Sequence, residues 1–284
     1  MTELQKPYPT DPESLDREYS PSHLVDSLDD YLAEYAERSL AARKLLADKA
    51  KIGLKYGPNA RHRLDYFHAD RPGAPLVVFL HGGFWSALDE SAFSFPAPAF
   101  IDAGINYASV TYRLAPETSL SGIVADAHLA VAWLSAQAQQ LGFDPNRIVI
   151  AGHSAGAHLA AMVMTSKPVL KGALLISGVY DLEPVRLSYV NDMVGMNAAE
   201  ALANSPYTIL PNAACAIHIA VGSNETGEFK RQSVLLHTTW KQHLSCSTFM
   251  EYEGRDHFNI LFDLADPSST LFGETLNLVN KHAP

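Results

Sequence analysis

The sequence predicts an α/β fold, a mainly parallel sheet covered by helices, and three observations carry that expectation. Short apolar runs alternate along the chain with stretches of helical periodicity, the rhythm of strand-helix-strand units. One run, Pro75-Leu76-Val77-Val78-Phe79-Leu80, is apolar throughout, as a strand covered on both faces must be. With 47% hydrophobic and 18% charged residues over 284 positions, the chain can bury a core without disulfides or metals. One core domain over residues 51–284 is expected, preceded by a helical extension over residues 1–50.

The elements follow in order. Leu24, Leu28, Tyr31, Leu32 and Tyr35 form an i, i+4, i+7, i+8, i+11 stripe, an amphipathic helix running to about residue 48. Short strands are expected around Leu54 and over 64–67, then the apolar strand 75–80, which ends in His81-Gly82-Gly83. Next come a strand over 105–112, a helix over 122–141, a strand over 147–151, a helix of small residues from Ala155 and a strand over 172–177. Residues 182–212 interrupt the rhythm with Pro184, Gly195, Pro206 and Pro211, and this irregular insert is expected to cap the site. A strand over 216–221, a helix over 228–244, a strand over 248–252 and a helix after His257 complete the chain.

Composition and motifs exclude several classes of function. With 31 acidic and 21 basic residues the net charge of −10 disfavours nucleic acid and anionic membranes. No run approaches the ~18 apolar residues of a membrane span, and no basic and apolar leader follows Met1. Cys215 and Cys246 form no CxxC spacing and are expected to be buried thiols in a cytoplasmic protein. HExxH, GxGxxG after a strand and a Walker loop are all absent, and His153 and His158 lie five apart across a turn, so neither a metal nor another cofactor is expected. A small-molecule substrate remains. The exposed face of the first long helix offers a contact between copies, so a homo-oligomer is an expectation.

Gly152-His153-Ser154-Ala155-Gly156 lies between an expected strand and an expected helix. That is the context of a nucleophile elbow, in which a strained turn lifts a serine hydroxyl above the sheet edge. Such a serine needs a base, and the base needs a carboxylate to orient it. The chain order Ser, acid, His selects His257, just past the last strand, ahead of His243 and the nearly terminal His282. For the acid, Glu225 on the loop after strand 216–221 is favoured. Glu228 is a competitor that a helix N-terminus would equally well employ, Asp181 is more distant, and Asp256 adjoins the histidine too closely. Oxyanion donors are expected from the backbone of Ala155 and of the loop after residue 80, Gly83 first, with Gly82 or Phe84 contributing. His81 is expected to brace that loop, and Phe84, Trp85 and Tyr112 to meet a flat aromatic substrate.

The chain resembles the α/β-hydrolase superfamily and, within it, the serine-hydrolase kynurenine formamidases. The likeness rests on Glu18-Tyr19-Ser20-Pro21-Ser22, His81-Gly82-Gly83-Phe84-Trp85, the segment from Gly152 to Met162, Ser177-Gly178-Val179-Tyr180-Asp181-Leu182-Glu183-Pro184, Ser205-Pro206, Glu228-Phe229-Lys230-Arg231-Gln232-Ser233 and Asp256-His257-Phe258. The resemblance implies hydrolysis of N-formylkynurenine to formate and kynurenine in tryptophan degradation, with Ser154, Glu225 and His257 as the triad. Two departures stand out: the family's acid is commonly Asp where this chain has Glu225, and Tyr112-Arg113-Leu114-Ala115-Pro116 is closer to general esterases. A broad carboxylesterase or aryl amide or carbamate hydrolase is the alternative, and a non-catalytic binding protein on the same scaffold a distant one.

Overall fold

The computed structural model describes residues 8–166, 169–212, 215–244 and 246–280. Its centre is an eight-stranded sheet of order β1-β2-β4-β3-β5-β6-β7-β8. The strands are β1 (Ala50–Lys55), β2 (Arg63–Phe67), β3 (Ala74–Leu80), β4 (Asn106–Val110), β5 (Phe143–His153), β6 (Gly172–Ile176), β7 (Ala216–Gly222) and β8 (Cys246–Tyr252). The pairs β1·β2 and β2·β4 are antiparallel, and every pair from β4 to β8 is parallel.

Period-2 geometry explains why the central strands read as continuous apolar runs. In β3, Leu76, Val78 and Leu80 point into one hydrophobic cluster, while Val77 and Phe79 point into the other on the opposite face. Ile148 and Ile150 of β5 alternate with Val149 and Ala151 in the same way. Helices α4 (Leu120–Leu141), α5 (Ala155–Met164) and α9 (Gly227–Trp240) bury their apolar residues in the first cluster. Helices α3 (Ala97–Asp102) and α10 (Thr270–Asn280) bury theirs in the second. The Ser119 hydroxyl caps the start of α4 by accepting from Gly122 N–H, and Gly142 ends it at φ +83°.

Features that differ from expectation include three in the N-terminal segment and the insert. Residues 12–18 form a helix, α1 (Pro12–Glu18), whose cap is the Asp11 side chain. The long helix α2 (Leu28–Leu45) begins one turn later than its apolar stripe, because the Ser27 hydroxyl caps it at Asp30 N–H and residues 21–24 form a separate 3₁₀ turn. The insert at 182–212 is not irregular but carries three short helices, α6 (Leu182–Arg186), α7 (Asn191–Val194) and α8 (Ala198–Ala203). Cys215 is buried, and Cys246 is only partly so. Among the described residues no helix is long and apolar enough to cross a membrane.

Candidate active site

The loops that leave the carboxyl ends of β3, β5, β7 and β8 meet on one side of the sheet, where parallel α/β folds place their ligands. β5 runs into Ser154, which holds φ +56° and ψ −121°, a conformation costing roughly 1–3 kcal/mol for a residue with a Cβ. Its neighbours show why the pentapeptide needs its glycines. A Cβ on Gly152 would lie 2.2 Å from the Gly156 carbonyl oxygen, and one on Gly156 would lie 2.0 Å from that of Leu80. The sharp turn and the approach of α5 to β3 exist only because both positions lack side chains. Ser154 N–H donates to the Ile176 carbonyl at 2.9 Å, anchoring the elbow to β6. Ala155 opens α5, so its N–H belongs to the first turn, whose donors have no acceptor within the helix.

The loop after β3 lies against this turn. A Cβ on Gly82 would come within 3.2 Å of the Ser154 Cβ, and Gly83 holds φ +101° with the Ala87 carbonyl 2.6 Å from where a Cβ would be. Phe84 and Trp85 continue at φ +44° and +57°, so three successive residues are held in the left-handed region. The Gly83 carbonyl is turned away, accepting from Ser86 and Ala87 N–H.

On the other flank, His257 Nδ1–H donates to Glu225 Oε2 at 2.7 Å, and both side chains are buried. Glu225 Oε1 accepts from the Ser177 hydroxyl at 2.5 Å and from Gly222 N–H at 2.7 Å. The longer acid fits because Gly222 leaves no side chain in the turn: a Cβ there would meet the Arg255 carbonyl at 2.2 Å and Glu225 Oε1 at 3.2 Å. Donation from Nδ1 leaves the lone pair of His257 on Nε2, the tautomer a general base requires. His257 and Ser154 line one cavity of about 200 Å³ with Gly82, Gly83, Phe84 and His153.

The competing acids are engaged elsewhere. Glu228 pairs with Arg231 at 2.6 Å and accepts from the Tyr19 hydroxyl at 2.7 Å. Asp181 caps α6, and burial holds its carboxyl above the usual range despite Arg231 at 3.4 Å. Asp256 accepts from Phe258 and Asn259 N–H and closes its own turn. His243 is exposed, and His282 lies outside the described residues. His81 is fully buried between Phe93 and Tyr112, with ring centroids 5.7 and 4.3 Å away. Its Nδ1–H donates to the Gly82 carbonyl at 2.8 Å.

Two expected substrate contacts are corrected. Trp85 and Tyr112 have no accessible surface and do not line the cavity; of the three aromatic residues only Phe84 does. Tyr112 stacks on His81 and donates to its carbonyl at 2.6 Å. Trp85 packs edge-on to His158, and its carbonyl accepts from Ala115 N–H at 2.8 Å. Both rings are spent beneath the strained loop.

Sequence reasoning missed several residues. Part of the cavity wall comes from the N-terminal segment, through Pro21, Ser22, Leu28, Leu32 and Tyr35, with Tyr189 from the 182–212 insert and Phe258 beside the histidine. Leu28, Leu32 and Tyr35 were visible as an apolar stripe, but a stripe does not say what it covers. Ser177, at φ +51°, and His153 carried weaker signals, one at a strand end and the other inside the elbow motif itself. Among the described residues no group of three or more His, Cys, Asp or Glu side chains is placed to hold a metal ion.

A parallel sheet carrying a strained serine elbow, a glycine-rich loop against it and a carboxylate-oriented histidine defines an α/β-hydrolase. The BD-FAE family model matches residues 66–238. The chain is 30% identical to the kynurenine formamidase of Danio rerio, over 95% of this chain and 97% of the relative. Among solved structures it superposes on a candidate thioesterase from Silicibacter sp. TM1040 with a TM-score of 0.84 at 30% identity, covering 91% of this chain and 97% of that one. An esterase from Pyrobaculum calidifontis, at 20% identity, covers 89% of this chain and 93% of its own with a TM-score of 0.70, and shares the fold. The chain belongs to the BD-FAE family and to the family of the kynurenine formamidases.

Proposed function

We propose that the protein is a serine hydrolase that cleaves aryl formamides, with N-formylkynurenine as its substrate and kynurenine and formate as products. The observation that carries the proposal is the buried Glu225–His257 pair sharing a cavity with the Ser154 elbow. Ser154 Oγ attacks the formyl carbonyl while His257 Nε2 accepts its proton. The oxyanion forms opposite N–H groups of Ala155 and of the Gly82–Phe84 loop, Gly83 first. Collapse breaks the C–N bond, and His257 returns the proton to the departing aryl nitrogen. A water, deprotonated by His257, then releases formate from the ester on Ser154.

A formyl carbon carries only hydrogen, and the close approach of Gly82 to the Ser154 side chain favours that small acyl group. Phe84 and Phe258 offer aromatic faces to the ring. The same reading makes the enzyme cytoplasmic, with residues 1–50 as an extension and 182–212 as a cap, and without nucleic-acid or membrane partners. A carboxylesterase is the second reading, favoured by the apolar wall that Pro21, Leu28, Leu32 and Leu88 present. Measuring kcat/KM for N-formylkynurenine, its N-acetyl analogue and a matched aryl ester series tests both. Formyl preferred over acetyl on the same arylamine supports the formamidase, and negligible formamide turnover beside efficient butyrate ester cleavage replaces it with the esterase.

A further inference from the structure

Resting on the assignment of His257 as the base, we infer that helix α2 of the N-terminal segment positions that histidine, with Tyr31 and Tyr35 as positioning residues. Every residue of the tripeptide 256–258 is held from outside its own loop. The Tyr31 hydroxyl donates to Asp256 Oδ2 at 2.9 Å, and the Tyr35 hydroxyl donates to the Phe258 carbonyl at 2.5 Å. Between them, His153 Nε2–H donates to the carbonyl of His257 itself at 2.8 Å. The Tyr31 ring stacks on Phe258 with centroids 5.5 Å apart, and the Tyr35 ring stacks on Phe95 at 5.4 Å, so neither phenol is free to swing away.

The two tyrosines are i and i+4, hence neighbours on one face of α2. They grip the residues on either side of the base, while Glu225 holds the ring through Nδ1. Four hydrogen bonds from three separate elements therefore hold the histidine and its two neighbours: two from α2, one from the elbow and one from the loop after β7. A ring displaced by about 1 Å costs roughly a hundredfold in rate, and nothing within the turn at 256–259 alone fixes where that turn sits relative to Ser154.

The test uses the full chain carrying Tyr31→Phe, Tyr35→Phe and both together, changes that keep the rings and remove only the hydroxyls. Ser39→Ala is the matched control. Ser39 lies on the same helix, is fully buried and accepts from Ser94 and Phe95 N–H at 3.1 Å, so its loss removes a buried contact and lowers stability while both tyrosine hydroxyls and residues 256–258 stay in place. Three readouts apply: kcat and KM on a nitrophenyl ester, the rate at which a nitrophenyl phosphonate labels Ser154 in the folded fraction, and the downfield proton resonance of His257 Nδ1–H.

The double variant is expected to lose at least tenfold in kcat and in labelling rate, with KM within twofold and the resonance shifted or broadened, while Ser39→Ala keeps all three. A double variant that does not fold leaves the single variants to carry the comparison, each expected to lose at least threefold. Smaller losses, or an equal loss in Ser39→Ala, overturn the inference. Failure of the phosphonate to label Ser154 in the unaltered protein overturns the serine-hydrolase reading instead.

Discussion

Replacing Glu225 by Gln probes the site most sharply, because each carboxylate oxygen has a defined partner. Oε1 accepts from the Ser177 hydroxyl and Gly222 N–H, and Oε2 accepts from His257 Nδ1–H. The amide has one oxygen and one NH₂. Placed with its oxygen toward Gly222, it turns the NH₂ on His257 and forces the proton from Nδ1 to Nε2, where the ring can no longer accept from Ser154. Placed the other way, the NH₂ opposes the buried Gly222 N–H, a clash of donors costing about 1–3 kcal/mol. The first arrangement therefore dominates.

In a serine triad this tautomer error, together with the loss of the carboxylate charge that stabilises the imidazolium, costs about 10⁴ in kcat, or ~5.5 kcal/mol at 1.36 kcal/mol per tenfold. The expected result is a kcat reduced by about 10⁴ with KM nearly unchanged, measured on a chromogenic ester with the folded fraction checked by circular dichroism. Glu228→Gln, which loses part of its pairing with Arg231 and Tyr19, is expected to keep kcat within a few-fold while melting earlier. A folded Glu225→Gln within tenfold of the parent, or a Glu228→Gln equally crippled, refutes the assignment.

Ser154→Ala is expected to fold and to retain only the residual activity that an oxyanion site provides, so near-normal turnover of the purified variant would remove Ser154 from the mechanism. Ser154→Gly should be equally inactive yet melt higher than Ser154→Ala, because glycine relieves the positive φ by roughly 1–3 kcal/mol; an equal or lower melting temperature contradicts the strain. Gly156→Ala places a methyl 2.0 Å from the Leu80 carbonyl and should yield insoluble or strongly destabilised protein, which expression and thermal melting would show.

Stability should also fall on acidification. Burial holds His81 and His158 down to about 4, below their unfolded value of about 6.5, so each contributes stability that is present above pH 6.5 and lost as pH falls toward 4. The loss amounts to roughly 3 kcal/mol per histidine. Urea melts at pH 7, 5.5 and 4.5 test this, and a flat profile would refute it.

The serine elbow and the Glu225–His257 pair were far more legible in the sequence than the walls around them. Ser154, Glu225 and His257 each follow a strand, and strands announce themselves through runs such as residues 75–80, so position in the rhythm pointed to them. The glycines at 82, 83, 152 and 156 were legible because backbone approach leaves no other residue type workable. Trp85 and Tyr112 misled because a loop has no periodicity: an aromatic beside a site can face the ligand or brace the loop, and here both brace it. Helix α3 escaped notice because Pro96 and Pro98 look like breakers, whereas Pro98 sits in the first turn, where its missing N–H is harmless. The cavity lining from residues 21–35 and from Tyr189 depends on contacts far apart along the chain, and no local pattern encodes them.

Helix α2 presents two adjacent ridges to the site side of the molecule: Leu28 and Leu32, which face the cavity, and Tyr31 and Tyr35, which reach the histidine loop, Tyr35 also lining the cavity. For laboratory evolution this sets an unusual map. A library that randomises residues 28 and 32 reshapes what enters the cavity and can be screened for new acyl or leaving groups. One that also varies residues 31 and 35 mixes changes of substrate preference with changes of turnover in a single clone.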